Sequence, residues 1–380
     1  MFKKIIFLIL IILISGTSAI VADRYVFPRL SNMDFFSRYK FLKQFATDVT
    51  VINKTEQVYV KEDSTVTKLT SNVTSSIVNV ISYTQKSEGL GAKNIPRTTQ
   101  NGTGIIVTSD GLIMTYLTAI IPENASYKVI LSDGRVYDCN LSSVDSYSNL
   151  AFLKISASNL PTITFGNSND FQAGEKVIAI GNNLGNYQNR YAAGLLNDYN
   201  SAFNIAGKTV SSSEKMEGVF EADIRIENGF VGGPIIDYSG QVIGITGSII
   251  DNNETKYFQI PSTKAQAVLQ KTINQETVNN AQLGIYFTPI TKTYALVNNL
   301  SVEKGAEINS PSGQQGLAII ANSAAAKSGL QILDIITAVS GQEINPQNTL
   351  PDLLYKYKKG DMIELTILRN GQELKISVQL

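Results

Sequence analysis

The 380-residue sequence sets 32 lysines and arginines against 32 aspartates and glutamates and contains no histidine. Zero formal charge leaves no basic excess of the kind that nucleic-acid binding needs, and the missing imidazole removes the side chain that most readily accepts and returns a proton near neutrality. The single cysteine, Cys139, permits no internal disulfide and no soft-metal site, while 43% hydrophobic residues are ample for two domains with cores of their own.

At the N-terminus, Lys3 and Lys4 precede an apolar run from Ile5 to Ile14, and residues 1–22 are expected to form a hydrophobic helix that acts as a signal anchor or a signal peptide. As an anchor, Ile5 to Ala22 gives about 27 Å of helix, enough to cross a hydrocarbon core. As a signal peptide it would be cut after Ala19 or Ala22, but Ile20 and Val21 fit a small-x-small cleavage site poorly. Under either reading the lysines stay cytoplasmic and the rest is exported. The expected location is the cell membrane, single-pass with the bulk extracytoplasmic, or secreted or periplasmic after cleavage.

Residues 23–65 read as a stalk or linker with an aromatic cluster at Phe35, Phe36, Tyr39 and Phe41 and a strand-like end. From 66 to 272 short β-type runs alternate with turn residues. Asp110-Gly111, Asp133-Gly134 and Ser239-Gly240 are hairpin signals, because glycine tolerates the positive φ that such turns need. Helical periodicity is confined mainly to Ser262–Ile273. From Gln282 onward strands are expected at 283–287, 317–320, 334–339, 363–368 and 374–378, with helices at 324–328 and 350–356, giving a small α+β module.

Three stretches carry the chemistry. Asn228 to Pro234 resembles the G-x-S-G-G-P nucleophile loop of chymotrypsin-like serine proteases, with Val231 at the serine position. Gly102 to Ile120 is similar to the stretch of the HtrA/Deg branch that carries the triad histidine, and that position falls on Thr118. Ser148 to Lys154 resembles the same branch's D-L-A-V-L-K, with Asn149 at the aspartate. The resemblance continues through Ala173–Gly181 and Phe258–Pro261, and it implies a mainly β, trypsin-like double six-stranded β-barrel over residues 66–272. Valine has no oxygen, sulfur or ionisable proton to act as a nucleophile. A threonine hydroxyl is too weakly basic to replace the imidazole, and an asparagine cannot stabilise an imidazolium that never forms. No catalytic residue is therefore expected at Thr118, Asn149 and Val231, although a backbone oxyanion pocket from the amides of Gly229 and Val231 is expected to persist.

Ala321–Leu330 and Leu333–Ile344 resemble the signature of PDZ domains, which implies such a domain over residues 278–380. The resemblance assigns Leu283, Gly284, Ile285 and Tyr286 to a loop whose amides bind a partner's C-terminal carboxylate while the peptide adds as a strand. Leu283 and Ile285 also read simply as strand residues facing the core. The sequence departs from the pattern at Leu333, where a glycine precedes the aspartate, and at Asn322 to Ala324.

The expected function is that of a catalytically inactive HtrA-like pseudoprotease, a peptide- and protein-binding adaptor or regulator in envelope protein quality control. The alternative is a serine-type endopeptidase with a non-standard or residual site, built on Cys139 or a Ser–Lys pair. Expected partners are C-terminal or unfolded peptide segments of envelope proteins, the membrane through the N-terminal helix and, from the resemblance, a homotrimer or a mixed oligomer with an active paralogue. No nucleic acid, metal or cofactor is expected, since no phosphate loop, metal cluster or flavin site is present.

Overall fold

The computed structural model describes residues 2–26, 29, 73–84, 98–182, 188–207, 210–251, 253–276, 280–312 and 317–380. Most of the expected stalk, including its aromatic cluster, lies outside them. The chain falls into two compact units, residues 1–60 and 61–380.

In the first unit Phe2–Val21 forms helix α1. Its Lys3–Val21 stretch, with a mean hydropathy of 2.5, is long and apolar enough to cross a membrane. The hydroxyls of Ser15 and Thr17 bond back to the carbonyls of Ile12 and Leu13 at 3.0 and 2.9 Å, so neither adds an unsatisfied polar group to the apolar surface.

The second unit opens with β1 (Ile77–Thr84), β2 (Thr99–Ile106), β3 (Leu112–Tyr116), β4 (Ala125–Ile130), β5 (Val136–Val144) and β6 (Leu150–Ile155), closed into a barrel in the order β1-β2-β3-β6-β5-β4. A second barrel, ordered β10-β13-β12-β11-β7-β8, joins β7 (Lys176–Asn182), β8 (Asn189–Asn204), β10 (Glu217–Asp223), β11 (Pro234–Ile236), β12 (Val242–Asp251) and β13 (Glu254–Pro261). Helix α2 (Ser262–Ile273) follows.

The strands read as continuous apolar runs because their alternation serves two cores. Val78, Ile106, Ile113 and Leu153 fill the first barrel, while their neighbours Ile77, Ile105, Met114 and Phe152 turn to a cluster shared with the second barrel. The second barrel divides in the same way: Val177 and Ile235 point inward, and Ile178 and Ile236 point to the shared cluster. Successive side chains of a strand face opposite ways, so a sequence buried on both faces loses its polar beat. The shared cluster is the seam on which the candidate site lies.

The C-terminal module is a sheet ordered β19-β18-β16-β15-β14-β9, with β17 (Gln342–Glu343) paired to β16. Its strands are β14 (Tyr286–Pro289), β15 (Ala306–Ile308), β16 (Ile335–Val339), β18 (Met362–Arg369) and β19 (Gln372–Gln379), with helices α3 (Lys292–Val297), α4 (Ala324–Ser328) and α5 (Leu350–Leu354). The edge strand β9 is Ser211–Ser212, which belongs to the barrel region. The strand expected at 317–320 is reduced to one bridge, Ile285 to Ile319. Helix α3, which sequence periodicity missed, is capped by the Thr291 side chain accepting from Tyr294 N. Leu333, at the family's glycine position, keeps a glycine-like φ of 69° and leaves its side chain exposed.

The module is docked on the barrels through buried polar contacts. Tyr355 stacks on Tyr147 with ring centroids 4.0 Å apart and donates to Asp145 Oδ1 at 3.2 Å. Asp145, fully buried, also accepts from Asn280 Nδ2 at 3.1 Å and Ser148 N at 2.8 Å. Lys264 of α2 pairs with Asp352 of α5 at 2.8 Å, with side chains only 15% and 16% exposed. Burial alone would lower the Lys264 ammonium, but Asp352 and Tyr199 outweigh it and hold the group above its ordinary value. Removing one partner of such a pair strands the other and costs about 3–5 kcal/mol.

Beside this pair lies Glu217, 2% exposed, with its Oε1 accepting from Ser211 Oγ at 2.6 Å. Burial pushes its carboxyl up to about 8; Ser211 and Lys264 pull it down and Asp352 pushes it up. The folded chain therefore holds this proton more tightly than the unfolded chain, where the group titrates near 4.5. Its contribution to stability is complete below the unfolded value and is lost as pH rises through about 8. The melting temperature of the chain should fall more steeply between pH 5 and pH 9 than that of Glu217→Gln, a difference that isolates this group from the lysines nearby. Parallel pH profiles of the two chains would contradict the assignment.

Candidate functional site

The nucleophile-loop resemblance falls on a tight turn at the seam between the barrels. Asn228–Phe230 form a 3-10 turn, followed by Val231 in extended conformation and Gly232 at φ 84°. Gly232 is required here: a Cβ at this position would lie 2.2 Å from Thr103 O and 2.2 Å from Thr115 Oγ1. Thr103 ties the loop to β2, its N–H donating to Val231 O at 3.0 Å and its Oγ1 to Gly229 O at 2.7 Å. The loop is therefore held against β2 and β3 by backbone contacts that no larger residue would allow.

The Val231 side chain, 3% exposed, packs in the shared apolar cluster with Ile105 and Tyr116. Its N–H donates to Asn228 O at 3.1 Å inside the turn. The expected pair of oxyanion donors, Gly229 and Val231, is thus not assembled in this arrangement, because one of the two amides is engaged by the loop itself.

Thr118 and Asn149 lie on adjoining segments, since Leu117 N donates to Asn149 O at 2.9 Å. Thr118 Oγ1 is 2.7 Å from Ser248 Oγ of β12, two hydroxyls with no base between them. Asn149, at φ 58°, accepts at Oδ1 from Lys215 Nζ (2.7 Å). Burial lowers the Lys215 ammonium while Asp145 and Glu214 raise it, and the net shift is downward. Its side-chain partners are Asn149 Oδ1 and Ser146 O, neither of which is a hydroxyl that a base could activate. Neither Lys215 nor Ser248 was reached by sequence reasoning, because each lies far along the chain from the residue it meets.

Cys139 faces the first barrel's core from β5, and burial pushes its thiol up to about 12. It is not a thiolate at neutral pH and cannot serve as a substitute nucleophile. A cavity of about 680 Å³ lies at the junction lined by Phe171, Tyr199, Lys264 and Asp352, and no residue of the 228–234 loop lines it.

In the C-terminal module, Leu283 and Ile285 have their side chains in the core, as the simpler strand reading anticipated. Their backbone is nonetheless shaped as a loop, with Gly284 at φ 80° and its would-be Cβ 2.3 Å from Ser323 Cβ. Tyr286 N donates within the module, to Ala318 O at 2.8 Å, beside the isolated bridge of Ile285 to Ile319. The Gly284 and Ile285 amides face outward, where the chain itself meets them: Gly284 N donates to Glu214 Oε1 at 2.7 Å, and Ile285 N to Ser213 Oγ at 3.1 Å.

Residues 102–245 match the family model of the trypsin-like peptidase domain, and residues 281–380 that of the PDZ domain. The chain is 30% identical over 280 residues to a probable periplasmic serine endoprotease DegP-like of Chlamydia muridarum, covering 73% of this chain and 53% of that protein. The chain thus carries a trypsin-like peptidase domain followed by a PDZ domain, and in sequence it is similar to DegP-like serine endoproteases. It is also 29% identical over 285 residues to the putative serine protease HhoB of Synechocystis sp., covering 75% of this chain and 67% of that one. The HtrA-type protease AlgW with tripeptide shares the fold, with a TM-score of 0.63 at 24% identity over 82% of this chain and 95% of that structure. The chain spans about half the length of the DegP-like relatives it matches.

A serine introduced at position 231 should not become reactive. In Val231→Ser the new hydroxyl would sit in the apolar cluster with Ile105 and Tyr116, and its burial there costs about 1–3 kcal/mol. Fluorophosphonate treatment followed by mass spectrometry should leave position 231 unlabelled, and the chain should melt at a lower temperature. Stoichiometric labelling there would contradict this account of the loop.

Proposed function

We propose that the chain is a catalytically inactive member of the HtrA/DegP family, which binds peptide segments without cutting them and acts as an adaptor or regulator in envelope protein quality control. The observation that supports the reading is at Val231: its aliphatic side chain is buried and its amide engaged inside the turn, at the position that the sequence resemblance assigns to the nucleophile. Thr118 and Asn149 support it, since neither a hydroxyl paired with a hydroxyl nor an amide paired with a lysine supplies a general base.

The relatives support the setting: several are named periplasmic serine endoproteases. The AlgW structures that share the fold hold a tripeptide or a decapeptide. For this chain we take the ligands to be C-terminal or unfolded segments of envelope proteins, captured at Leu283, Gly284, Ile285 and Tyr286. Helix α1 would hold the protein at the membrane with its bulk extracytoplasmic, or be removed to leave a periplasmic protein. Assembly as a homotrimer, or as a mixed oligomer with an active paralogue, follows the family.

The other reading, a serine endopeptidase with a non-standard site, would draw on Ser248 beside Thr118. Against it, Lys215 is occupied by two oxygen acceptors that are not hydroxyls, and the Cys139 thiol is held in its neutral form.

Capture at the module depends on a terminal carboxylate. A pool of decapeptides with randomised C-terminal residues and free carboxylates should be retained by the full chain in detergent, and the same pool with amidated termini should not. Equal retention of the two pools would reject carboxylate capture.

A further inference from the structure

We propose that Ser211–Glu214 is a built-in occupant of the C-terminal module's peptide groove, with the Glu214 side-chain carboxylate standing where a ligand's terminal carboxylate would be held, so that a peptide must displace this segment to bind. The inference rests on the reading of the module as a peptide-binding domain and adds how that site is regulated.

The direction of the segment carries the argument. Strand β9 pairs antiparallel to β14, with Ser211 opposite Phe287 and Ser212 opposite Tyr286. Ser213 then extends the ladder, donating from its N–H to Ile285 O at 3.1 Å. The segment thus runs along β14 toward the loop, as an added strand ending at that loop would run. At its end Glu214 Oε1 accepts from Gly284 N at 2.7 Å, and the Ser213 hydroxyl covers the neighbouring Ile285 amide. A carboxylate on outward-facing backbone amides is the chemistry by which a terminal carboxylate is captured.

The far wall of the groove is equally close. Between Ser213 and Glu214 on one side and Pro351, Leu354 and Tyr355 on the other, only about 20 Å³ remains. Farther along, past Phe287 and Pro289, a cavity of about 270 Å³ stays open, so the block is confined to the carboxylate end.

The barrel holds the segment ready in this shape. Asn204 Nδ2 donates to Ser212 O at 3.2 Å and to Lys215 O at 3.0 Å, and Ser211 Oγ is fixed on Glu217 at 2.6 Å. A preordered, covalently tethered occupant loses little entropy on binding and acts at a high effective concentration. The apparent affinity for an outside peptide is reduced by the fraction of time the groove is filled.

Glu214→Gln tests this in the full chain, purified in detergent. Hydrogen exchange of the Gly284 and Ile285 amides should quicken by about tenfold or more, the effect of losing one charge-assisted hydrogen bond. Retention of the free-carboxylate decapeptide pool should rise by a similar factor over the unaltered chain. Exchange in β18 and β19 should stay constant and so report that the module remains folded. If those strands also loosen, Ser213→Ala, which removes only the hydroxyl over Ile285, serves as the second variant with the same readouts. Unchanged exchange at Gly284 and Ile285 overturns the proposal whatever the peptides do. Faster exchange with no peptide retained by either chain overturns the peptide-binding reading beneath it, and the proposed competition falls with it.

Discussion

The arrangement depends on one buried polar seam, where Asp145 collects Tyr355, Asn280 and Ser148 while Lys264 meets Asp352 beside the stacked rings of Tyr147 and Tyr355. Each of these groups is costly to bury alone and acceptable only when its partner is in place. The seam therefore acts as a lock with few intermediate positions. A small module joined by a short connection is held as part of the same body as the barrels, and the barrel segment 211–214 is thereby laid along β14.

A second constraint comes from the loop at Val231. In a working serine protease this loop must leave amides pointing at a developing oxyanion. Here the Val231 amide closes a 3-10 turn and its side chain joins the apolar cluster between the barrels. The glycines that make the loop possible are still required by Thr103, Thr115 and the backbone of β7. On the proposed reading, the loop keeps its glycine-dependent shape while an aliphatic side chain, Val231, packs at the position that the resemblance gives to the nucleophile.

Much of the fold was legible in the sequence because glycine and period-2 patterns are local. Gly111, Gly134 and Gly240 take the positive φ that their hairpin signals implied. In the C-terminal module the strands expected at 283–287, 334–339, 363–368 and 374–378 overlap β14, β16, β18 and β19. Short elements fixed by capping or by tertiary contact were not visible: α3 depends on Thr291, and β9 exists only because β14 lies beside it. The candidate site was legible as a set of substitutions and illegible as geometry. Nothing local in Ser211–Glu214 marks it as the strand that meets Gly284, and nothing near Val231 reveals that its amide is turned inward. Both facts depend on contacts between residues far apart in the chain.

The central claim is that this protease scaffold no longer cuts, and the most direct measurement is a cleavage assay on unfolded substrate. Full-length chain, repurified through two orthogonal columns, is incubated with reduced casein and the products are searched by mass spectrometry for new termini. The account predicts no termini above those of a casein-only control. It would be contradicted by cleavage that follows the protein through both columns and disappears when one serine of the chain, Ser248 first, is replaced by alanine.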